Sequence, residues 1–301
     1  GDSVSSSSVV YAYKRLGEIL TTFEEQTGNK IDFEDITMDW YYDFMEFLSS
    51  NNYKPNYRGK LIKNLKAILN LANQEGHSSN LTHKNRNFKK EQETTYKVYL
   101  SEREINDLFS FDFEENDKLA RVRDLFIVAC RTGLRISDLK MIHKDLIKES
   151  EIVDNGEKFK MDFIRIQTKK TKKVVDIPLH PNTTELLEKY NYNLPSISDT
   201  KFNEYIKDVC QKAGILELCV FTETQGNKVI KKSTPKYNLI SSHTGRRSFA
   251  TNHYKEDVPI LSIMAITGHS KISDFLDYIV LDANEKAKSI AIHYRNKTQS
   301  K

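Results

Sequence analysis

Long apolar runs are missing from this 301-residue chain, and nothing approaches the ~18–20 consecutive residues that a membrane helix needs. Glycine (11) and proline (6) are scarce, which excludes collagen-like and low-complexity chains. Cysteine is limited to Cys130, Cys210 and Cys219, an odd number in apolar surroundings with no CxxC pair. That excludes a disulfide scaffold and leads us to expect buried free thiols in a reducing compartment. Gly1 to Ser8 shows no basic-then-apolar signal, so secretion is not expected, and the start reads as the edge of a longer chain. HExxH, P-loop glycines and an acidic cluster of the two-metal kind are also missing, so neither metal nor nucleotide cofactor is expected. What is present is a mixture of 38% hydrophobic and 29% charged residues, enough for two domains of a soluble intracellular protein.

The net charge of +4 conceals a strong asymmetry. Residues 1–52 hold three basic and ten acidic side chains, whereas residues 53–90 hold nine basic ones against Glu75 alone. A local excess of eight positive charges attracts a polyanion, and nucleic acid is the first partner to consider.

The first 92 residues read as a small helical domain. Tyr13, Leu16, Leu20 and Phe23 recur at helical spacing before Thr27-Gly28-Asn29. Asp39 can cap a second helix carrying Trp40, Phe44, Phe47 and Leu48. After Lys54-Pro55-Asn56, a third places Leu61, Leu65, Ile68, Leu69 and Ala72 on one stripe. Arg58, Lys60, Lys63 and Lys66 form a basic face away from that core, suited to DNA phosphates. The polar segment of about 78–95 lacks periodicity and reads as a linker. A second domain over 96–301 opens with the capping box Ser101-Glu102-Arg103-Glu104. It continues with a buried helix Leu119–Cys130, a short helix Ser137–Ile142, and a hairpin of Phe163–Gln167 and Val174–Leu179 with a lysine-loaded tip. Helical patterns follow at Thr183–Tyr190, Ser198–Ala213, Arg246–Tyr254, Pro259–Ile266 and Ile272–Lys288, while Asn227 to Tyr237 reads as a loop. The expected class is mainly α with a small β-hairpin sheet (α+β).

Four short stretches carry candidate chemistry. Thr132-Gly133-Leu134-Arg135 sets an arginine after a helix-breaking glycine, with Asp138 one turn on to steady its guanidinium fork. His243 and Arg246 lie one turn apart at a helix start, where an anion would satisfy cations that otherwise oppose the helix dipole. Arg247 points elsewhere and is assigned a structural or surface role. Thr267-Gly268-His269-Ser270 puts a histidine at another turn, and Tyr278 follows nine residues later.

Their order, Arg-x-x-Asp, Lys-tipped hairpin, His-x-x-Arg, Gly-His and then Tyr, resembles the tyrosine recombinase (phage integrase) family. The wording Thr-Gly-Leu-Arg and His-Thr-Gly-Arg-Arg-Ser-Phe-Ala-Thr is similar to integrases of Bacteroidetes-type conjugative transposons and prophages. The resemblance implies a helical core-binding domain and a catalytic domain closing as a C-shaped clamp on double-stranded DNA. It also implies phosphate-binding Arg135 and Arg246, supporting Asp138, a hairpin lysine at Lys170 (with Lys169 and Lys172 as rivals), His243, His269 and the nucleophile Tyr278. Metal and ATP are not required by such chemistry. A small-residue stripe of Ala283, Ala287, Ile290, Ala291 and Tyr294 on a C-terminal helix would couple subunits in a DNA-bound tetramer. The expected location is the bacterial cytoplasm, on the nucleoid. Two departures stand out: Gly245 where leucine is commoner, expected to loosen packing, and Asp274 and Asp277 ahead of the tyrosine.

The leading function is a site-specific recombinase acting through a 3′-phosphotyrosine, integrating or excising a mobile element. The alternatives are a type IB topoisomerase-like relaxing enzyme, a catalytically silent DNA-binding regulator, and a nuclease using His243 and Lys170 with water.

Overall fold

The computed structural model describes residues 7–113 and 116–281, together with 285, 287, 290, 291, 294 and 295. It divides into two compact units. The first comprises the chain up to Tyr96 together with Val220–Lys232, and the second holds Lys97–Cys219 and the chain from Ser233 onward.

In the first unit, α1 (Ser7–Thr27), α2 (Met38–Ser50) and α3 (Pro55–Gln74) bury the apolar stripes read from the sequence, except that Tyr13 of α1 stays exposed. Leu16, Phe44, Leu48, Leu61, Leu65 and Leu69 form its centre, with Phe23 edge-on to Trp40 and Phe44. The cap of α2 is Thr37, whose hydroxyl accepts the Trp40 amide, and Asp39 lies inside the first turn. Residues 78–95 are not a free linker. Phe88 is fully buried against the Tyr41 ring at 4.4 Å, the Tyr41 hydroxyl donates to the Lys89 carbonyl, and Asn56 exchanges two hydrogen bonds with the Glu93 backbone. Gly59 permits this crossing, because a Cβ there would sit 1.9 Å from the Glu91 carbonyl oxygen.

That same crossing corrects one expected DNA contact. Arg58 is 5% exposed, paired through Nε with Glu91 at 2.7 Å, and is therefore structural. Lys60 and Lys63 remain exposed. Lys66 is half-buried with its ammonium 5.4 Å from the Phe88 ring centre, and burial, helped by Lys84, lowers its pKa.

Strand β5 (Lys228–Pro235), paired with β4 (Leu218–Gln225), takes the place of most of the loop expected at 227–237. Six of the eight β5 residues are exposed, so no apolar alternation advertises the strand. The 220–232 part of this hairpin packs within the first unit. Phe221 stacks on Tyr96 at 4.8 Å, Glu223 binds Lys54, and Gly226 sits where a Cβ would lie 2.6 Å from the Ser49 carbonyl oxygen.

The second unit is built around α5 (Asp117–Thr132), which is buried along most of its length and packs against α4 (Glu102–Ser110), α7 (Pro181–Lys189), α8 (Asp199–Lys212) and α9 (Ser242–Lys255). The capping box at Ser101 and Glu104 forms as its sequence dictates. Beside these helices, β1 (Ile147–Asp154), β2 (Glu157–Gln167) and β3 (Val174–Pro178) make an antiparallel sheet in which Ile164 faces Ile177 and Ile166 faces Val175. Sequence alternation missed β1 because six of its eight side chains are exposed; the Asn155-Gly156 turn, both residues at positive φ, is the signal that reveals it. Helices α6 (Ile136–Leu139), α10 (Ile260–Thr267) and α11 (Ile272–Leu276) complete the unit. Cys130, Cys210 and Cys219 are buried free thiols, and burial pushes Cys130 and Cys210 well above the ordinary thiol range. Among the described residues no helix is long and apolar enough to cross a membrane.

Candidate active site

The site begins where α5 stops. Gly133 ends that helix at φ +65°, and a Cβ there would lie 2.7 Å from the Phe249 ring, so glycine is required for both conformation and space. The turn leads to Arg135, in extended conformation at the start of α6, and to Asp138, which is wholly buried. Asp138 Oδ2 is 3.9 Å from Arg135 Nη1, an electrostatic contact too long for a hydrogen bond. Its Oδ1 accepts the Lys169 amide at 2.9 Å. One buried carboxylate thus holds the arginine and the base of the lysine turn together.

That turn, residues 168–173, is closed by Thr168 and Lys173 and by the Lys172 amide on the Thr168 carbonyl, with Lys172 at φ 57°. Lys170 is exposed, and its positive charge acts on His243. Lys173 donates to the Ser270 hydroxyl at 2.9 Å, tying the turn to the loop that carries His269.

Helix α9 supplies His243 and Arg246. Gly245 does not loosen the packing: a Cβ there would lie 2.9 Å from the Ala129 Cβ, so the glycine lets α9 approach α5 closely. Arg246 is consequently only 1% exposed. Its Nη1 donates to the Gly133 carbonyl at 2.7 Å, while Nε and Nη2 are buried without a hydrogen-bond partner among the described residues. Burial, then Arg135, lower its pKa to about 10; Tyr278 and Asp138 act in the opposite sense, and the group stays cationic at neutral pH. Arg247 turns away and donates to the Val98 carbonyl and the Thr244 hydroxyl.

Arg135, Ser137, Asp199, Ser242, His243 and Arg246 line a cleft of about 90 Å³. Asp199 and Ser137 escaped the sequence reading because nothing in their local pattern marks them. His243 stands at the surface of this cleft, and its pKa is lowered by partial burial and by Arg247, Arg135, Arg246 and Lys170. It is therefore neutral at pH 7 and able to accept a proton.

His269 and Tyr278 meet beside Arg246. Their ring centres are 4.7 Å apart, and the Arg246 guanidinium carbon is 5.8 Å from the Tyr278 ring centre. His269 Nδ1 pairs with the Thr267 hydroxyl at 2.9 Å. Tyr278 lies not within a helix running to Lys288 but in the turn just past α11, because the helical ladder closes with i→i−3 bonds at Tyr278 and Ile279, and the Val280 amide goes to the Thr251 hydroxyl. Asp274 and Asp277 are both exposed. Of the expected C-terminal stripe, Ala283 lies outside the described residues; Ala287, Ile290, Ala291 and Tyr294 are surface-exposed.

The His269 pKa falls to about 4, through burial and then Arg246 and Arg135. An unfolded chain protonates the same ring near pH 6.5, so the unfolded state takes up the proton first. Stability contributed by the neutral ring is present above about pH 6.5 and is lost as pH falls towards about 4. The melting temperature is expected to drop over that window, and to drop less for His269→Phe. Equal slopes would show that the folded protein does not hold the ring neutral.

Two buried, unsatisfied N–H groups on a cation call for an anion. Arg246, Arg135, His243 and the lysine turn together present donors suited to a phosphate and a phenol beside it. Among the described residues no three His, Cys, Asp or Glu side chains cluster so as to hold a metal ion.

Residues 98–285 match the profile described as the phage integrase family, and residues 2–90 match the phage integrase SAM-like domain. The chain belongs to the phage integrase family, the tyrosine site-specific recombinases. No curated protein matches it. Among solved structures, the Tn1549 transposon integrase in complex with a circular intermediate DNA is similar at TM-score 0.67 and 14% identity, over 97% of this chain and 95% of that one. The lambda integrase dimer bound to a COC′ core site gives TM-score 0.62 and 15% identity, over 92% and 90%. The XerH recombinase bound to a palindromic difH substrate gives 0.60 and 14%, over 90% and 77%. At these identities the likeness is one of fold, mostly helical with small antiparallel sheets.

Proposed function

We propose that this integrase-family chain is a site-specific recombinase that cleaves and rejoins DNA strands through Tyr278, integrating or excising a mobile element. The observation that carries the reading is the pair of buried, unpartnered N–H groups of Arg246 beside the Tyr278 ring, with Arg135 alongside. A phosphodiester repels nucleophiles because its oxygens are anionic. Two guanidiniums binding those oxygens would neutralise the ground-state charge and stabilise the charge that builds in the pentavalent transition state. Tyr278 Oη attacks phosphorus, the bond from phosphorus to the 5′-oxygen breaks, and a 3′-phosphotyrosine remains. The phenol proton passes to neutral His243, and Lys170 gives a proton to the departing 5′-oxygen. Asp138 positions both Arg135 and the turn bearing Lys170. His269 packs against the Tyr278 ring and steadies it. Because the adduct retains the bond energy, rejoining by an incoming 5′-hydroxyl is the same step in reverse.

Lys60 and Lys63, with Lys66 at their flank, are assigned to duplex phosphates, so affinity should fall steeply with salt. Residues 1–92 are the core-binding domain in this reading, and residues 96–301 are the catalytic domain. The Tn1549 integrase bound to a circular intermediate DNA and the lambda integrase bound to a core site support double-stranded attachment sites as the substrate. A tetramer on DNA, joined through the C-terminal residues, and a place in the bacterial cytoplasm on the nucleoid belong to the same reading.

The test is incubation with a nicked duplex suicide substrate in EDTA and without ATP, followed by denaturing electrophoresis. An SDS-resistant protein–DNA adduct is expected. DNA binding without an adduct would favour the silent regulator, and released fragments without an adduct would favour the nuclease. Exchange between two duplexes, rather than relaxation alone, separates recombinase from topoisomerase.

A further inference from the structure

Thr251 lies on α9, five residues beyond Arg246, and is completely buried. Its hydroxyl donates to the Tyr278 carbonyl at 3.3 Å and accepts the Val280 amide at 3.1 Å. These are the two peptide groups on either side of Ile279. Because α11 ends at Leu276, no continuing helix orients them. The remaining backbone contacts come from within the turn, where the Tyr278 amide meets the Phe275 carbonyl at 2.8 Å, and from Lys97 at the surface, which donates to the Asp277 carbonyl at 2.8 Å.

A threonine hydroxyl offers one donor and two acceptor sites. Satisfying a carbonyl and an amide from a single oxygen fixes the 278–280 backbone against α9, the helix that also carries His243 and Arg246. We infer that Thr251 is a positioning residue for the nucleophile: it sets the register between the Tyr278 phenol and the Arg246 guanidinium, so that both reach one phosphate. The hydroxyl itself takes no part in bond making. This inference rests on Tyr278 being the nucleophile. Displacement of a reacting group by ~1 Å can slow a reaction by about 10²-fold, which is the scale expected here.

The experiment compares wild type, Thr251→Val, Thr251→Ser and Tyr278→Phe in the suicide-substrate assay, with duplex affinity and thermal melting measured alongside. Valine preserves shape without the hydroxyl, and serine preserves the hydroxyl. Thr251→Val is expected to form the adduct about 10²-fold more slowly with duplex affinity unchanged, and Thr251→Ser to regain most of the rate. Val280 amide exchange should accelerate in Thr251→Val and stay slow in Thr251→Ser. Wild-type rates in Thr251→Val would overturn the inference, as would equal slowing in the valine and serine variants. If Thr251→Val does not melt cooperatively, Thr251→Ala is read by the same criteria. An adduct formed by Tyr278→Phe would instead sink the functional reading itself, so the two failures are distinguishable.

Discussion

Tyr278→Phe is expected to form no SDS-resistant adduct on a nicked suicide duplex, with a loss on the order of 10⁶ in cleavage rate, as when other enzymes lose a covalent nucleophile. The substitution removes one oxygen and leaves the ring. Contacts of that ring with His269 and with the cluster of Phe249, Ile263 and Phe275 are kept, so the fold and the melting temperature should change little. Duplex affinity should also persist, since the phosphate donors on Arg135 and Arg246 are untouched. The phenol is a poor nucleophile in isolation, with an ordinary pKa of about 10. Arg246 beside its ring and neutral His243 in the cleft would lower the barrier to losing its proton. Persistent cleavage in Tyr278→Phe with free ends would point to attack by water, and persistent adduct to a different nucleophile.

Arg246→Lys is expected to lower adduct formation by about 10²–10³ while duplex affinity changes several-fold at most. A lysine keeps the charge but not the planar fork. In the protein one arm of that fork is committed to the Gly133 carbonyl at 2.7 Å, and Nε and Nη2 remain for an anion. An ammonium at the same place has to choose between the carbonyl and the phosphate. The site also holds a cation in a nearly closed environment, where burial already lowers the Arg246 pKa. A lysine buried there would give up its proton more readily than arginine does, so cleavage by the variant should recover in part as pH falls. Equal losses in binding and cleavage would mean that Arg246 holds the α5–α9 junction together rather than the phosphate. Arg135→Lys should follow the same pattern, with Asp138 retaining the turn at Lys169.

Much of this protein was legible before folding. Helical stripes in α1 and α3, the capping box at Ser101, and the Arg135–Asp138 and His243–Arg246 spacings are local features that a chain writes in its own periodicity. Strands β1 and β5 were not legible, because their side chains face water on both sides and carry no alternation. Arg58 looked like its lysine neighbours on the same helix, and only the passage of Glu91 over Gly59 removes it from the basic surface. Gly245 read as a packing defect and is instead the point of closest approach between α9 and α5.

The order and identity of the chemical groups, and the family to which they belong, were determined by sequence alone, since residue type and spacing carry that information over short range. Tertiary structure decided which arginine nitrogens stay unpaired, that Tyr278 sits past a helix end, and that Thr251 holds it there. Such facts depend on long-range contacts between segments up to more than a hundred residues apart, as from Gly133 to Arg246, and burial and hydrogen-bond satisfaction exist only once those segments have met.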